Sequence, residues 1–160
     1  MALRNKTIIS LFFISQQFFC QGISGVYKID DLIKRISNND SNYVVNFWAT
    51  WCKPCVEELP AFDSLSRLFS KTNNKVILVS LDFKEDLEKK VVPFLKNKKI
   101  ESTCVLLDEV NGNNFINQIN KDWSGAIPAT LFINQNRKLF LEKKMRLTEL
   151  QKNWQSLIEH

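Results

Sequence analysis

The sequence predicts an α/β domain with a central mixed sheet flanked by helices on both faces. Short apolar runs rich in β-branched residues alternate with stretches whose apolar residues recur at helical spacing, a pattern typical of parallel strands joined by helices. The last two runs, residues 130–133 and 138–141, are separated only by a polar turn, which indicates an antiparallel hairpin. Parallel strands that end in such a hairpin form a mixed sheet.

Each element follows from its own local pattern. In chain order, the sequence predicts helix 30–36, strand 43–48, helix 53–71, strand 75–81, helix 87–97, strand 104–107, helix 113–120, strands 130–133 and 138–141, and a closing helix from 148. Asp30 is expected to cap the first helix, and Thr148 with Gln151 to form a capping box for the last. Pro60 predicts a kink or break in the long helix. Ile158 is expected to be buried with the apolar stripe of the closing helix.

Residues 1–22 have the pattern of a secretory signal peptide: a basic start, an apolar core over 8–14, and small residues where a signal peptidase reads. An uncleaved membrane anchor is a lesser alternative, because the apolar run is shorter than the roughly 20 residues of a membrane-spanning helix. Lipid attachment at Cys20 ranks lower still, since the bulky Phe19 before it fits that chemistry poorly. We expect an exported, periplasmic domain over 23–160.

Composition and charge exclude several classes of protein. The length suits one domain with one core, and neither repeats nor a Gly-, Pro- or Ser-rich linker interrupts it. The formal net charge is +5, but the lysines are dispersed among acids and apolar residues. No basic stripe with interleaved aromatic residues argues for nucleic acid. We therefore expect no nucleic-acid partner.

The segment Trp51-Cys52-Lys53-Pro54-Cys55 carries the strongest chemical signal. Two thiols three positions apart, at a predicted strand-to-helix junction, can lie within disulfide distance. If Cys52 caps the helix, the helix dipole and unpaired N–H groups stabilise its thiolate. The pattern favours a reactive thiol with its own resolving partner.

Other uses of the cysteines fit less well. A zinc or iron–sulfur site needs four ligands, whereas Cys104 is single and His160 is the only histidine. A purely structural disulfide across so short a loop would constrain little of the unfolded chain. We expect no metal and no cofactor. Cys104 lies in an apolar strand pattern and is most simply a small buried hydrophobe, with a redox role as the lesser alternative.

The segment 46–55, followed by Glu57-Glu58-Leu59-Pro60, resembles the active-site segment of the thioredoxin superfamily. It is most similar to the exported TlpA/ResA-like thiol–disulfide oxidoreductases. The segment Ile127-Pro128-Ala129-Thr130 resembles the cis-proline loop of that family. The resemblance runs from about Tyr43 to the C-terminus and implies a thioredoxin fold.

The resemblance implies roles for the residues of the motif. Cys52 would be the attacking thiol and Cys55 the buried thiol that resolves the mixed disulfide. Trp51 would shield the pair and shape the partner-binding surface, although a plain packing role is an equal alternative. Pro54 would lie in the first helical turn, where a missing donor costs little. Lys53 would favour the Cys52 thiolate and make the disulfide more oxidising.

The resemblance also extends to residues outside the motif. Pro128 would be cis and face the disulfide, and Ile127 would offer its backbone to an extended partner peptide. Where thioredoxins themselves carry a buried aspartate, this chain has Asn46. Glu58 fits a glutamate position of the exported branch, and we predict that it relays protons to the cysteine pair. The competing interpretation is a solvated acid favoured by the helix dipole.

The resulting expectation is an exported, monomeric thiol–disulfide oxidoreductase that reduces protein disulfides, or less favourably oxidises thiols. The family context implies cytochrome c apoproteins or cell-envelope redox homeostasis as the setting, and a membrane-bound electron donor as the recharging partner. A non-catalytic thioredoxin-like peptide-binding module is the alternative, but it would not need an intact Cys52–Cys55 pair. The Pro-x-x-x-Thr-x-x-Cys arrangement of a peroxiredoxin is absent from the sequence.

Overall fold

A mixed β-sheet forms the centre of the computed structural model, which describes residues 22–38 and 40–159. Within that part of the chain the sheet has six strands in the order β1-β4-β3-β2-β5-β6. The strands are β1 (Ile23–Tyr27), β2 (Asn42–Trp48), β3 (Asn74–Ser80), β4 (Thr103–Leu107), β5 (Ala129–Asn134) and β6 (Arg137–Leu141). The first four are parallel to one another, β5 runs antiparallel to its neighbour β2, and β6 runs antiparallel to β5.

Helices cover both faces of the sheet, as the sequence predicts. They are α1 (Ile29–Ile36), α2 (Lys53–Leu68), α3 (Val92–Lys98), α4 (Ile116–Ile119) and α5 (Leu147–Glu159). A 3₁₀ turn (Lys84–Asp86) and a π-helical turn (Leu87–Val91) lead into α3, and a 3₁₀ turn (Gly112–Asn114) precedes α4. The apolar cores place α2, α3 and α5 on one face, and α1 and α4 on the other.

Strand β2 shows how the sequence divides between the faces. Because successive side chains of a strand alternate, Val44 and Trp48 join the core under α2, while Val45 and Phe47 join the core under α1. Asn46 falls on the α2 side by the same alternation. Asn46 therefore lies on the same face of the sheet as helix α2.

The structure adds one strand to the predicted set. Strand β1 pairs in parallel with β4 at one edge of the sheet. Its sequence, Ile-Ser-Gly-Val-Tyr, alternates between half-buried and exposed positions. An edge strand this short contains few buried apolar residues, so the sequence pattern alone did not identify it as a strand after residues 1–22.

Both predicted helix caps are wrong. Helix α1 follows Lys28, which has no side-chain cap, and Asp30 lies inside the first turn, where its charge complements the helix dipole. Helix α5 begins one residue before Thr148. The backbone N–H of Arg146 donates to the Glu149 carboxylate at 3.0 Å, so this glutamate closes the helix start instead of Gln151.

Two further expectations are corrected by the helices themselves. Helix α2 runs uninterrupted through Pro60 and ends at Leu68, so of the predicted kink or break, the break does not occur and the kink stays a prediction. Ile158 is 43% exposed, although Leu150, Trp154 and Leu157 are buried as predicted.

The predicted signal peptide, residues 1–22, lies outside the described residues except for Gly22. The same holds for the alternatives of a membrane anchor or a lipid at Cys20. In the part of the chain that is described, none of the helices has the length and apolar character that crossing a membrane requires.

Candidate active site

A disulfide joins Cys52 and Cys55 at the N-terminus of α2. Cys52 is the residue that caps the helix, and its Sγ accepts a hydrogen bond from the Cys55 N–H at 3.3 Å. The two Cα atoms are 5.3 Å apart. Pro54 lies in the first helical turn, where its missing N–H leaves no helical hydrogen bond unmade. Cys52 therefore lies where the helix dipole and backbone donors favour negative charge on sulfur.

The two sulfurs differ in access from the surface. The Cys52 residue is 6% exposed, whereas Cys55 is fully buried. Trp51, directly before the pair, is 68% exposed, and Lys53 and Pro54 between the cysteines are also exposed. A partner that approaches the N-terminus of α2 therefore meets Cys52 before Cys55.

The loop that contains Ile127 and Pro128, more than 70 residues after Cys52 in sequence, packs against Cys52. The peptide bond between Ile127 and Pro128 is cis, and the Ile127 carbonyl oxygen lies 3.7 Å from the Cys52 Sγ. Pro128 is buried. The loop leads into β5, which pairs with β2, and this pairing brings positions 52 and 127 together.

Trp123 anchors this loop from the opposite face of the sheet. Its ring packs against Phe47 and Phe115, with centroids 4.8 and 5.7 Å away, and its indole N–H donates to the Ala126 carbonyl at 2.8 Å. Trp123 is thus a core residue that acts on the site through the backbone of the loop.

Two further contacts fix the same loop. Gly125 has a φ of +91°, and a Cβ there would lie 2.9 Å from the Ile116 Cδ1, so any larger residue would be strained. The Ser124 N–H and hydroxyl both donate to the Glu142 carboxylate, the former at 2.9 Å. These contacts hold the approach to Pro128 in one conformation.

Asp82 holds the segment on the other side of Cys52. Its buried carboxylate accepts hydrogen bonds from the Thr50 backbone N–H at 3.0 Å, from the Thr50 hydroxyl, and from the Ser80 hydroxyl at 2.7 Å. Sequence reasoning missed this residue. The available signal was its position just after a predicted parallel strand, since the carboxyl ends of β2 and β3 meet at one edge of the sheet.

Glu58 is 2% exposed and lies three residues after Cys55 on the buried side of α2. Its Oε1 accepts a hydrogen bond from the Asn46 Nδ2 at 2.8 Å, and its Oε2 accepts one from the Met145 N–H at 2.7 Å. Burial raises the pKa of Glu58 to about 7, against the opposing effect of these two donors and of the Lys144 charge. The interpretation of Glu58 as a solvated acid is therefore wrong.

Glu58 makes no hydrogen bond to either sulfur among the described residues. Its closest polar partner on the sheet, Asn46, also places Nδ2 3.2 Å from the Thr130 Oγ1 and 3.4 Å from the Ala129 carbonyl oxygen. The result is a buried polar cluster of Asn46, Glu58 and Thr130 beneath the start of α2. This cluster is fully screened from solvent at Asn46 and Thr130.

The neighbouring carboxylate has the opposite environment. Glu57 is exposed and pairs with Lys144 at 2.5 Å, which holds the pKa of Glu57 below its usual value, with a smaller contribution from Lys53. Lys53 itself forms no ion pair within residues 22–38 and 40–159. Its charge is therefore available to a partner at the surface.

Cys104 lies in β4 and is a free, buried thiol. Burial raises the pKa of this thiol, so it stays protonated and unreactive. The described residues contain no group of three or more Cys, His, Asp or Glu side chains that could hold a metal ion.

A crevice of about 220 Å³ opens beside the site at the carboxyl ends of β3 and β4. Phe83 and Val110 line it and are 64% and 87% exposed. Together with Trp51, they place one exposed apolar side chain after each of the three neighbouring strands β2, β3 and β4. This edge of the sheet therefore exposes apolar side chains among charged ones such as Lys84 and Glu109.

The chain is similar to several known proteins. It is 31% identical over 139 residues to the peptide-N(4)-(N-acetyl-beta-glucosaminyl)asparagine amidase of Caenorhabditis briggsae, a match that covers 79% of this chain and 22% of that protein. It is 26% identical over 113 residues to the thiol-disulfide oxidoreductase ResA of Oceanobacillus iheyensis, covering 70% of this chain and 54% of ResA. In both cases the chain spans well under two thirds of the relative's length.

The fold has known counterparts as well. The thioredoxin-related protein from Neisseria meningitidis serogroup B superimposes with a TM-score of 0.62 at 20% identity, covering 78% of this chain and 90% of that one. The predicted thioredoxin fold is confirmed. Residues 27–140, well over half of the sequence, match the AhpC/TSA family. The chain, which has this sheet topology and a Cys-x-x-Cys disulfide at the start of α2, therefore belongs to the AhpC/TSA family.

Proposed function

We propose that this chain is a thiol–disulfide oxidoreductase that acts on protein disulfides through Cys52 and Cys55. The observation that carries the proposal is the disulfide itself, formed at a helix N-terminus with the more accessible sulfur facing the Ile127 carbonyl. The name of the relative ResA supports the same chemistry. A peptide-binding module would need the groove but not the disulfide.

The reaction begins with the reduced pair. The Cys52 thiolate attacks one sulfur of a partner disulfide, so that a Cys52–partner bond forms, the partner S–S bond breaks and one partner thiolate leaves. The Cys55 thiolate then attacks the Cys52 sulfur, which forms the Cys52–Cys55 disulfide and releases the second partner thiolate. Two electrons pass from the dithiol to the partner. The Cys55 N–H, which already faces the Cys52 sulfur, stabilises the thiolate.

The second step requires removal of a proton from buried Cys55. We infer that Glu58 receives this proton and returns it to a leaving thiolate. Glu58 lies on the same buried side of α2, and its raised pKa suits a group that exchanges protons near neutral pH. Because no hydrogen bond joins it to a sulfur in the oxidised state, the transfer requires a bridging donor or a rotation of the carboxyl group.

The surface around Cys52 suits a polypeptide partner. The Ile127 carbonyl can pair with an extended backbone, as an added strand does, while exposed Trp51, Lys53 and Pro54 contact side chains next to the partner's cysteine. Such a partner meets an open, partly apolar surface. A small ligand would have only a shallow crevice.

The cellular setting is also a proposal. The pattern of residues 1–22 supports export, and we propose that the domain acts as a monomer in the periplasm or another space outside the cytoplasm. There it would reduce protein disulfides, cytochrome c apoproteins included, with electrons from a membrane-bound donor. The thiolate-favouring Lys53 and the nearby Glu58 act on the potential in opposite directions, so the direction of transfer needs measurement.

Trapping of partners tests the activity. A Cys55→Ala variant is expected to retain disulfide-linked proteins on Cys52, and a Cys52→Ala/Cys55→Ala double variant is the matched control that should retain none. Wild-type protein is expected to reduce insulin with dithiothreitol as the electron source, and a Cys104→Ala variant to do so at the wild-type rate. An inert wild type with nothing trapped would support the binding module instead.

Equilibration of the protein in glutathione buffers measures the reduction potential of the Cys52–Cys55 pair, which decides the direction of electron transfer. A reduction potential below that of the glutathione pool supports a reductant. A potential above it would show an oxidant and overturn that part of the proposal.

A further inference from the structure

We propose that Asn46 is a positioning residue for Glu58, and that its side-chain amide reverses by half a turn according to whether Glu58 carries a proton. In one orientation Asn46 donates a hydrogen bond to the carboxylate. In the other it accepts one from the carboxylic acid. The inference rests on the proposed function only in that Glu58 then handles the Cys55 proton.

All recorded side-chain hydrogen bonds of Asn46 are made by its amide nitrogen and none by its amide oxygen. Its Nδ2 has three oxygen neighbours: the Glu58 Oε1 at 2.8 Å, the Thr130 Oγ1 at 3.2 Å and the Ala129 carbonyl at 3.4 Å. Its Oδ1 is buried and has no hydrogen-bond partner in the described part of the chain. The Oδ1 acceptor is therefore not committed to another group, and it is available to accept a hydrogen bond if the amide turns.

The observed orientation suits an ionised Glu58. Both carboxylate oxygens accept N–H donors, one from Asn46 and one from Met145, as the acceptor-only oxygens of an ionised carboxylate do. A proton on Oε1 would face the two hydrogens of the Asn46 amide. Reversal of the amide places Oδ1 there instead, so that the acid can donate to it.

Thr130 makes the reversal feasible. Its hydroxyl accepts from the Asn46 Nδ2 in the observed orientation, but a hydroxyl can equally donate. After reversal, the Thr130 hydroxyl and the Glu58 acid both donate to Oδ1. The amide therefore keeps a hydrogen bond to Glu58 and to Thr130 in both states, whereas the 3.4 Å contact with the Ala129 carbonyl is lost on reversal.

The groups that form the surroundings of Glu58 and its partner Asn46 come from four parts of the chain. Asn46 on β2 and Thr130 on β5 are neutral, Met145 offers a backbone N–H, and the nearby Lys144 charge favours the ionised form. Cys55 on the same helix changes from disulfide to thiol or thiolate in the reaction. Because burial raises the pKa of Glu58 to about 7, this carboxyl group can gain and lose a proton near neutral pH.

A single proton moves between Cys55, Glu58 and the partner during the reaction. One proton leaves the Cys55 sulfur and binds the Glu58 carboxylate, and no electron accompanies it. The same proton later leaves Glu58 for the departing partner thiolate. Asn46 gains and loses no proton, because it exchanges a donor for an acceptor by rotation alone.

NMR titration of the oxidised wild-type protein tests the reversal directly. The Asn46 side-chain amide signals are expected to shift with pH at the midpoint measured for the Glu58 carboxyl carbon. Amide signals that do not titrate with Glu58 would overturn the proposal. This readout needs no activity, so it decides the inference even if the cysteine pair proves inert towards protein disulfides.

Variants test whether Asn46 acts through Glu58. Asn46→Leu removes both the donor to the charged form and the acceptor for the acid; because the hydrogen bond to the charged form is the stronger of the two, the Glu58 midpoint is expected to rise by about one pH unit. Thr130→Val is the matched control, because it removes a hydroxyl from the same cluster without touching Glu58, and a much smaller rise is expected. An equal rise in both variants would indicate general loosening of the cluster and contradict a specific role for Asn46.

The redox readout completes the test. A plot of reduction potential against pH is expected to bend at the Glu58 midpoint, and Asn46→Leu to move that bend upward. In a Glu58→Gln background, Asn46→Leu is expected to leave the plot unchanged. A further shift in that background would show that Asn46 acts on the cysteines by another route and would overturn the proposal.

Discussion

The two faces of the sheet carry different kinds of residue. On the face under α1 and α4, the strands contribute apolar side chains and Tyr43 to a hydrophobic core. On the face under α2, the same strands and that helix also bury polar groups, namely Asn46, Glu58, Asp63, Ser80 and Thr130. One face holds the fold together, and the other also carries the groups that surround the disulfide.

The contrast explains where the chemistry can occur. A buried polar group is unfavourable unless it is hydrogen-bonded, so most such groups on the α2 face have partners: Asp63, for example, accepts from the backbone of Ser102 at 2.9 Å. Among the described residues, two buried atoms on this face have no hydrogen-bond partner: the Asn46 Oδ1 in the cluster of Asn46, Glu58 and Thr130, and the Trp48 Nε1. The difference teaches that the buried polar cluster lies on the face that carries the disulfide, while the apolar face anchors the proline loop through Trp123.

The largest expected effect on stability comes from a substitution on the face under α1 and α4. Leu32 of α1 is fully buried, so Leu32→Ala should lower the free energy of unfolding by about 3–5 kcal/mol through lost burial and the cavity left behind. Urea denaturation measures the loss. The reduction potential of the cysteine pair should stay at the wild-type value, and a shift in potential would show that the two faces are not separable.

A smaller effect belongs to Glu58 on the polar face. Because its pKa is raised in the folded protein, the folded state binds this proton more tightly than the unfolded chain does. Its contribution to stability is therefore complete below about pH 4.5 and is lost as pH rises to about 7. The loss corresponds to about 3 kcal/mol.

Urea denaturation across that pH range measures the effect, with Glu58→Gln as the comparison. The stability of wild type relative to this variant should fall with rising pH and level off above about pH 7. A difference that is constant across the range would contradict a raised pKa at Glu58.

The smallest effect is expected at the surface next to Glu58. The Glu57–Lys144 ion pair is about half exposed on both sides, so solvent screens it and the two side chains lose freedom in forming it. Lys144→Ala should leave the urea midpoint within the scatter of repeated measurements, at low salt as at high salt. A clear loss of stability would mean that the β6–α5 segment depends on this pair rather than on the buried Met145 contact.

Most elements were predictable because their signals are local. Strand β2 is a short β-branched run, and the apolar stripe of α2 repeats at helical spacing, so neither needs knowledge of the rest of the chain. Strand β1 lacked such a signal, since at the edge of the sheet it contains Ser24 and Gly25 and is only half buried. The caps failed for a related reason: Asp30 and Thr148 are good capping residues, but each lies one position or more inside its helix.

By itself, the sequence determined the thiol pair, its place before a helix and the likeness of the proline segment to a known loop. These depend on spacing along the chain, which folding does not change. Only the tertiary structure decided the surroundings of Glu58, because its partners Asn46 and Met145 lie 12 and 87 residues away. A raised pKa is a consequence of burial, and burial is created when β2, β5 and the segment before α5 pack against one side of α2.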